Sequence, residues 1–206
     1  MDATPINASL INDTVTVPEL LTPRVRLRAA HDGDVPDLIT LGTDPRVRAH
    51  LGGPRPRAAV EAYFSEHGVA PLANAPGAYV IADRRTDRLL GTLTLDRRSP
   101  DRPGHVEPNS SELELSYVLH PDAWGAGLAE EAARALLRAA ADELPEQPVL
   151  VVTQTANERS LRLAARLGFR PVGALEEFGA AQTLATAPLR AFADHPEDGD
   201  PGPRPS

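Results

Sequence analysis

The chain has 206 residues, 41% of them hydrophobic, which is enough for one domain with a full core and compatible with a globular protein. It has no cysteine, which excludes disulfides, thiolate nucleophiles and cysteine-ligated zinc together. The formal net charge of −8 and a pI near 5.2 disfavour a general binder of phosphate backbones, so no nucleic-acid partner is expected; the charge suits solubility first and a cationic substrate such as an amine second.

No apolar run approaches the roughly 20 residues needed to span a bilayer. The start lacks the basic and then apolar pattern of a secretory signal, so a cytoplasmic protein without membrane contact is expected. Residues 1–20 carry little pattern and read as a flexible arm or an added strand. Over 22–28 the chain alternates, with Val25 and Leu27 inward, which predicts a first strand. Asp34 suits a helix N-cap, Pro36 the first turn, and Leu38, Ile39 and Leu41 the apolar side. Asp44-Pro45 breaks that helix, and 46–51 read as a further helical turn before Gly52-Gly53-Pro54. A second helix is predicted over 56–67, with Val60, Tyr63 and Phe64 on one face. Residues 78–82 and 89–95 read as a hairpin around a polar turn at 84–88. The proline-bearing stretch 99–111 reads as a solvated, mobile loop that could close over a substrate.

The stretch 112–141 organises the chain. Residues 112–120 alternate, with Leu113, Leu115, Tyr117 and Leu119 on one face of a half-buried strand. Pro121-Asp122 ends it. Gly125 and Gly127 then open a helix with an apolar stripe of Leu128, Ala132, Ala135, Leu136 and Ala139, and with Glu130, Arg134 and Arg138 on the other face. The first amides of a helix are unpaired and its dipole makes that end positive, so a glycine turn there suits a pyrophosphate. A lone Gly-x-Gly more often serves only a tight turn, and the dinucleotide fingerprint fails because Glu130 holds the third glycine position. Leu144-Pro145 closes the helix. Residues 149–155, rich in β-branched side chains, predict a buried strand. Asn157 starts a helix with Leu161, Ala164 and Ala165 on one face and Arg159, Arg162 and Arg166 on the other; Gly168 caps it and Phe169 returns to the core. Two closing strands are expected over 169–179 and 183–189, with the turn at 179–182. From Ala193 the tail is rich in proline, glycine and acids and reads as disordered. The expected organisation is an arm over 1–21, a domain over 22–192 and a tail over 193–206.

Trp124-Gly125-Ala126-Gly127-Leu128-Ala129 resembles the acyl-CoA signature, Q/R-x-x-G-x-G/A, of the GNAT superfamily of N-acetyltransferases. Tryptophan in the first place and the Glu-Ala that follows the motif resemble the branch that acetylates protein N-termini, including those of ribosomal proteins. The opening strand and helix, then Asp44-Pro45-Arg46-Val47 and Leu51-Gly52-Gly53-Pro54, resemble the start of the same branch. Asn157-x-x-Ser160 followed by Leu167-Gly168-Phe169 resembles the second CoA-binding element of GNAT proteins. The resemblance implies an α/β GNAT fold: a mixed, twisted sheet of about six or seven strands flanked by about four helices. In that fold the central strand and the 149–155 strand splay apart, and acetyl-CoA enters the gap as though it were an extra strand.

The resemblance also implies roles. Acetyl would pass directly from acetyl-CoA to a primary amine, a protein or peptide N-terminus foremost, with no metal. Backbone amides of Gly125, Ala126, Gly127, Leu128 and Ala129 would hold the pyrophosphate. Backbone groups of Val118 and His120 would pair with the pantetheine arm, the Val118 amide polarising the thioester carbonyl. Asn157 and Ser160 would contact CoA. Glu114, on the polar face of its strand with Ser116, is expected as the base, directly or through water, ahead of Glu112, His120, Glu176 and Glu177. The tyrosine that many members carry in the second element is absent; Ser160 is expected to relay a proton to the thiolate, with Tyr117, whose strand parity points it toward the core, the other hydroxyl nearby. Ala126, Leu128 and Ser116 depart from residues frequent at those places. Two other readings stay open: a small-molecule acceptor such as an aminoglycoside, polyamine or amino acid derivative, and a non-catalytic acyl-CoA-binding module. The protein would be a monomer or homodimer.

Overall fold

The computed structural model describes residues 14–108 and 110–193; the arm expected before residue 14 and the tail expected past Ala193 lie outside the described residues. Eight strands form one sheet: β1 (Glu19–Leu21), β2 (Val25–Arg28), β3 (Ala78–Asp83), β4 (Leu89–Arg97), β5 (Leu113–Leu119), β6 (Pro148–Gln154), β7 (Arg170–Glu177) and β8 (Ala180–Pro188). Their order is β1-β2-β3-β4-β5-β6-β8-β7. Every neighbouring pair is antiparallel except β5 and β6. The helices are α1 (Val35–Thr43), α2 (Arg57–His67), α3 (Ala70–Ala73), α4 (Leu128–Glu143) and α5 (Glu158–Leu167).

The strand count exceeds the expected six or seven because the segment ahead of residue 22 joins the sheet. Leu20 pairs with Leu27. The Thr14 hydroxyl donates to the Leu95 carbonyl at 2.6 Å, the Tyr79 hydroxyl donates to the Val17 carbonyl at 2.6 Å, and Val15 is buried. These bonds satisfy polar groups along a segment that carries little apolar pattern of its own.

Alternation along the strands feeds two cores. On one face, Val25, Leu27, Ile81, Leu93, Leu95, Leu113 and Leu115 pack beneath α4 and α5. On the other, Leu38 and Leu41 of α1 join Val47 and Val69 over Val80, Ala82 and Leu89. The buried stripe of α4 is Ala132, Ala133, Leu136, Leu137 and Ala140. That is rotated by about one position from the expected stripe, because alanine fits a core face and a solvent face equally well. On α5 the buried residues are Leu163, Ala164 and Leu167, and Ala165 faces solvent. Residues 46–51 form turns and not a helical turn, and α3 was not expected. The turn between β7 and β8 is Phe178-Gly179, at φ of 55° and 70°, the left-handed pair that matches hairpin twist. It lies ahead of the expected 179–182 because a phenylalanine at positive φ gives no turn signal.

Buried charges tie the loops to this frame. Arg28 donates to both carboxylate oxygens of Asp34, at 2.8 and 2.9 Å, and to Asp87 at 2.8 Å, joining β2 to the start of α1 and to the β3–β4 turn. Burial alone would raise the Asp34 carboxyl, but Arg28 and the His31 amide outweigh it and hold the group below its ordinary value. The loop over 99–111 is not free, contrary to expectation. The fully buried Arg98 donates from Nε to the Pro103 carbonyl at 2.9 Å, and Glu112 accepts the amides of Val106 and Glu107 at 2.9 and 3.0 Å and pairs with the His105 ring. Burial would raise Glu112, but the His105 ring and these amides outweigh it and bring the carboxyl down to about 2.

Removing one partner of a buried pair leaves an uncompensated charge. Asp34→Ala is therefore expected to cost about 3–5 kcal/mol in urea denaturation. Glu112 has a folded pKa below its unfolded value, so its contribution is complete above an ordinary 4.5 and disappears as pH falls toward 2. Glu112→Gln should be less stable than the parent at neutral pH, and the gap between the two melting curves should close over that acidic window.

Candidate active site

β5 and β6 are in register only at Leu113–Val149 and Glu114–Leu150. Beyond that point the flanking ladders decide where each main chain points. The His120 amide donates to the Leu90 carbonyl at 2.8 Å, and the β4–β5 register is unbroken. Antiparallel ladders alternate between bonded and non-bonded pairs, so Ser116 and Val118 also direct their amides to β4, and Tyr117 and Leu119 direct theirs toward β6. On β6, the Leu189 amide donates to Gln147 and the Thr155 amide to Ala181, both at 2.9 Å. The same alternation turns Val149, Val151 and Thr153 to β8, and Val152 toward β5. The sheet is thus open between two edges that carry unpaired main-chain groups. The Trp124 indole donates to the Leu119 carbonyl at 2.9 Å, which confirms the direction of that residue.

This geometry corrects one expectation. The His120 amide is bonded to Leu90 and the Val118 amide faces β4, so neither can polarise or pair with a group lying in the opening. Tyr117 and Leu119 face it instead. Side-chain parity is readable in a sequence; hydrogen-bond parity depends on register with a neighbouring strand.

The glycine turn stands at the mouth of the opening. Gly125 and Gly127 hold φ of 76° and 75°, a conformation costly for other residues, and α4 begins at Leu128. Among the described residues no acceptor meets the amides of Gly125, Ala126, Gly127, Leu128, Ala129 or Glu130. A brace holds them in place. Glu131 accepts from the Thr22 hydroxyl at 2.5 Å, the Arg24 amide at 2.8 Å and Arg24 Nε at 2.6 Å, and Arg24 Nη1 donates to the Ala126 carbonyl at 2.8 Å. The part of Arg24 in this brace was not legible in the sequence, because an arginine in an alternating strand is ordinarily solvated and its partners lie far along the chain.

Opposite the turn, Asn157 caps α5: its side chain accepts from the Ser160 amide at 3.2 Å. The Ser160 hydroxyl lies 2.8 Å from the Tyr117 hydroxyl. Tyr117 packs against the core side of its strand, as its parity implies, but stays half-buried; burial raises its hydroxyl above the ordinary value despite Ser160 and Arg166, so it stays protonated at neutral pH. Arg159 lies 4.9 Å over the Trp124 ring, and Arg166 pairs with Glu130 at 2.7 Å.

A cleft of about 1190 Å³ joins these parts. Val118, Gly125, Gly127, Leu128, Ala129, Asn157 and Ser160 line it together, with Tyr117, Val152 and, from the α1–α2 loop, Arg46, Val47, Ala49, His50 and Leu51. Glu114, His120 and Ala126 are not among its lining residues. Glu114 lies at the paired end of β5, its carboxylate 2.7 Å from Arg98 and 3.5 Å from Arg102. His120 is buried toward α1, with Nε2 lacking a hydrogen-bond partner and 3.6 Å from Asp37. Of the lesser base candidates, Glu177 pairs with Arg98 and Arg102, Glu112 holds the 99–111 loop, and Glu176 is exposed on β7. Six outward amides at a positive helix end suit a diphosphate; unpaired strand edges suit an extended, amide-bearing arm; a protonated hydroxyl pair can supply a proton.

No described helix is long and apolar enough to cross a membrane. An uncharacterised Bacillus subtilis protein, YkkB, is 26% identical over 151 residues, which is 73% of this chain and 84% of that protein. Among solved structures, spermidine N-acetyltransferase from Vibrio cholerae in complex with CoA and spermine aligns with a TM-score of 0.63 at 17% identity, over 83% of this chain and 99% of that one. RimL, the ribosomal L7/L12 alpha-N-protein acetyltransferase, in complex with coenzyme A aligns with a TM-score of 0.61 at 17% identity, over 84% and 98%. These two likenesses establish a common fold. Residues 24–170 match the family model of the acetyltransferase (GNAT) domain, and with the open strand pair and the amide-lined turn at its mouth, the chain belongs to the GNAT family of acetyltransferases.

Proposed function

We propose that this enzyme transfers acetyl from acetyl-CoA directly to the terminal amine of a protein or peptide. The row of unpartnered amides over 125–130, at the mouth of the β5–β6 opening, carries the cofactor side of this reading. Those amides would hold the diphosphate in the field of the α4 dipole. The main-chain edges at Tyr117, Leu119 and Val152 would take the pantetheine arm. When bound, acetyl-CoA supplies an acyl group activated as a thioester. Tyr117, kept protonated by burial, and Ser160 form the pair from which a leaving thiolate would take its proton. Glu114 gives its carboxylate to two guanidiniums, which favours an anchoring role for the 99–111 loop over that of a direct base.

The acceptor would approach from the sheet face opposite α4 and α5, where Ser116 is exposed. Resemblance in and after the signature to the branch that modifies N-termini supports a peptide acceptor. A polyamine is the second reading. Asp96, opposite Glu114 on that face, exposes a carboxylate that could meet a polycation, although partial burial and Glu114 push its carboxyl up.

A thermal melt with acetyl-CoA at 100 times its dissociation constant should show about 2.7 kcal/mol of added stability. Ala126→Glu should abolish that gain with the fold intact, since Ala126 is exposed and free of the positive φ that would strain a side chain at Gly127. Mass spectrometry on peptides with N-terminal serine or alanine should then find acetyl on the terminal nitrogen. A folded protein whose melt ignores acetyl-CoA would contradict the cofactor assignment, and acetylation of spermidine alone would replace the peptide reading with the second.

A further inference from the structure

We propose that His50 is the general base of the acetyl transfer and that Gln154 fixes its tautomer. This rests on the acetyl-transfer reading above and names the residue that receives the acceptor's proton.

The cleft has two walls. Leu113, Leu115 and Leu119 point into the core under α4 and α5, so Ser116 and Val118 face the other way. Val149 and Val151 share that core, so Val152 and Gln154 face the same way as Ser116. The α1–α2 loop lies over this second face: Val47 packs with α1, while Arg46, Ala49, His50 and Leu51 line the cleft. The Tyr117–Ser160 hydroxyl pair stands on the first wall and His50 on the second. A transfer that gives a proton to sulfur and takes one from nitrogen needs two proton sites, and the two walls supply them separately.

His50 Nδ1 lies 3.2 Å from Gln154 Oε1. An amide oxygen only accepts, so this contact selects the tautomer in which Nδ1 donates, and in the neutral ring of that tautomer Nε2 presents a lone pair. Both partners are held in place. The Gln154 carbonyl accepts the Asn157 amide at 2.8 Å, and Gln154 pairs with Gln182 on β8. Arg48 clasps the loop from its own side, donating to the Gly53 carbonyl at 3.0 Å and to the Leu51 carbonyl. Glu114 and Glu177 have guanidinium partners, and Glu112 holds a loop; His50 needs no such contact broken in order to act.

An acceptor ammonium first loses one proton to solvent. As the amine nitrogen bonds to the acyl carbon, its second proton passes to His50 Nε2. The carbon–sulfur bond breaks with its electron pair on sulfur, and sulfur takes a proton from the Tyr117–Ser160 pair. Solvent returns the His50 proton to that pair. The charged groups that line the same cleft are Arg46 on the His50 loop, Glu130 at the start of α4, and Glu158, Arg159, Arg162 and Arg166 on α5.

The test combines turnover with a readout of the ring itself. With no cysteine in the chain, a thiol reagent reports released CoA alone. The acceptors are peptides with N-terminal serine or alanine, and spermidine. His50→Gln should lower kcat by about a hundredfold or more, leave the acetyl-CoA dissociation constant unchanged and remove the acidic limb of the kcat/KM profile. Gln154→Glu should keep substantial turnover and move that limb to higher pH, because a carboxylate stabilises the imidazolium. Nitrogen-15 spectra at neutral pH, with His50 identified by the signals that His50→Gln removes, should show Nδ1 protonated and Nε2 bare, whichever amine is the substrate. Turnover of His50→Gln within tenfold of the parent with the limb retained, or the opposite tautomer, would overturn the assignment. Failure of the parent protein to bind acetyl-CoA would instead overturn the underlying reading, and this one with it.

Discussion

β5 and β6, in the middle of an eight-stranded sheet, pair at one end and then part. Main-chain donors and acceptors that leave a ladder need other partners, so such a gap persists only where each strand is held independently. Here β4 pairs with β5 from Arg97–Leu113 to Gly91–Leu119, and β8 pairs with β6 from Pro188–Pro148 to Gln182–Gln154. The two halves of the sheet therefore stay rigid on either side of the opening. Because β5 and β6 are parallel, the helices that follow them, α4 and α5, both begin at the open end. Ligand sites of α/β proteins gather at the carboxyl ends of such strands. In this chain that end gathers the amide row at the start of α4, the Ser160 hydroxyl near the start of α5 and the unpaired edges between them.

Arginines hold the loops around this frame. Arg24 joins Glu131 to the carbonyl of Ala126, Arg28 joins Asp34 to Asp87, and Arg98 joins Glu114 to Glu177 and to Pro103. Arg28 and Arg98 are taken from water, which is tolerable only when most of their donors are met, while Arg24 stays exposed; each of the three reaches at least two partners. The acidic chain so uses cations as struts. The glycine turn and the 99–111 loop stand on such struts, which keeps the main chain near the geometry that a ligand requires and limits the ordering needed on binding.

Much of this was legible in the residues. The alternation of 112–120, the glycine pair, the Asn157 cap and the Gly168 stop each act through local chemistry, so the strand–turn–helix unit and the capped helix α5 could be read directly. The misses share a cause: they depend on register or on distant partners. The stripes of α4 and α5 shifted because alanine carries little facing information. β1 is three residues long, and its partners come from Leu27 and its neighbours on β2, not from its own pattern. Tyr117 and Leu119 replace Val118 and His120 at the opening because hydrogen-bond parity is set by pairing with Leu90. Glu114 looks like a solvated strand carboxylate until Arg98, from the end of β4, is placed against it. His50 and Gln154 are more than a hundred positions apart, and neither stands in a motif.

The central claim is that acetyl-CoA completes the unfinished ladder between β5 and β6. Amide hydrogen exchange, read residue by residue with and without acetyl-CoA, tests it most directly. The account predicts new protection at Tyr117, Leu119 and Val152, with slowing along 125–130, and no change at Val118 and His120, whose amides face β4. Protection confined to Val118 and His120, or none along the opening in a protein that binds the cofactor, would contradict it.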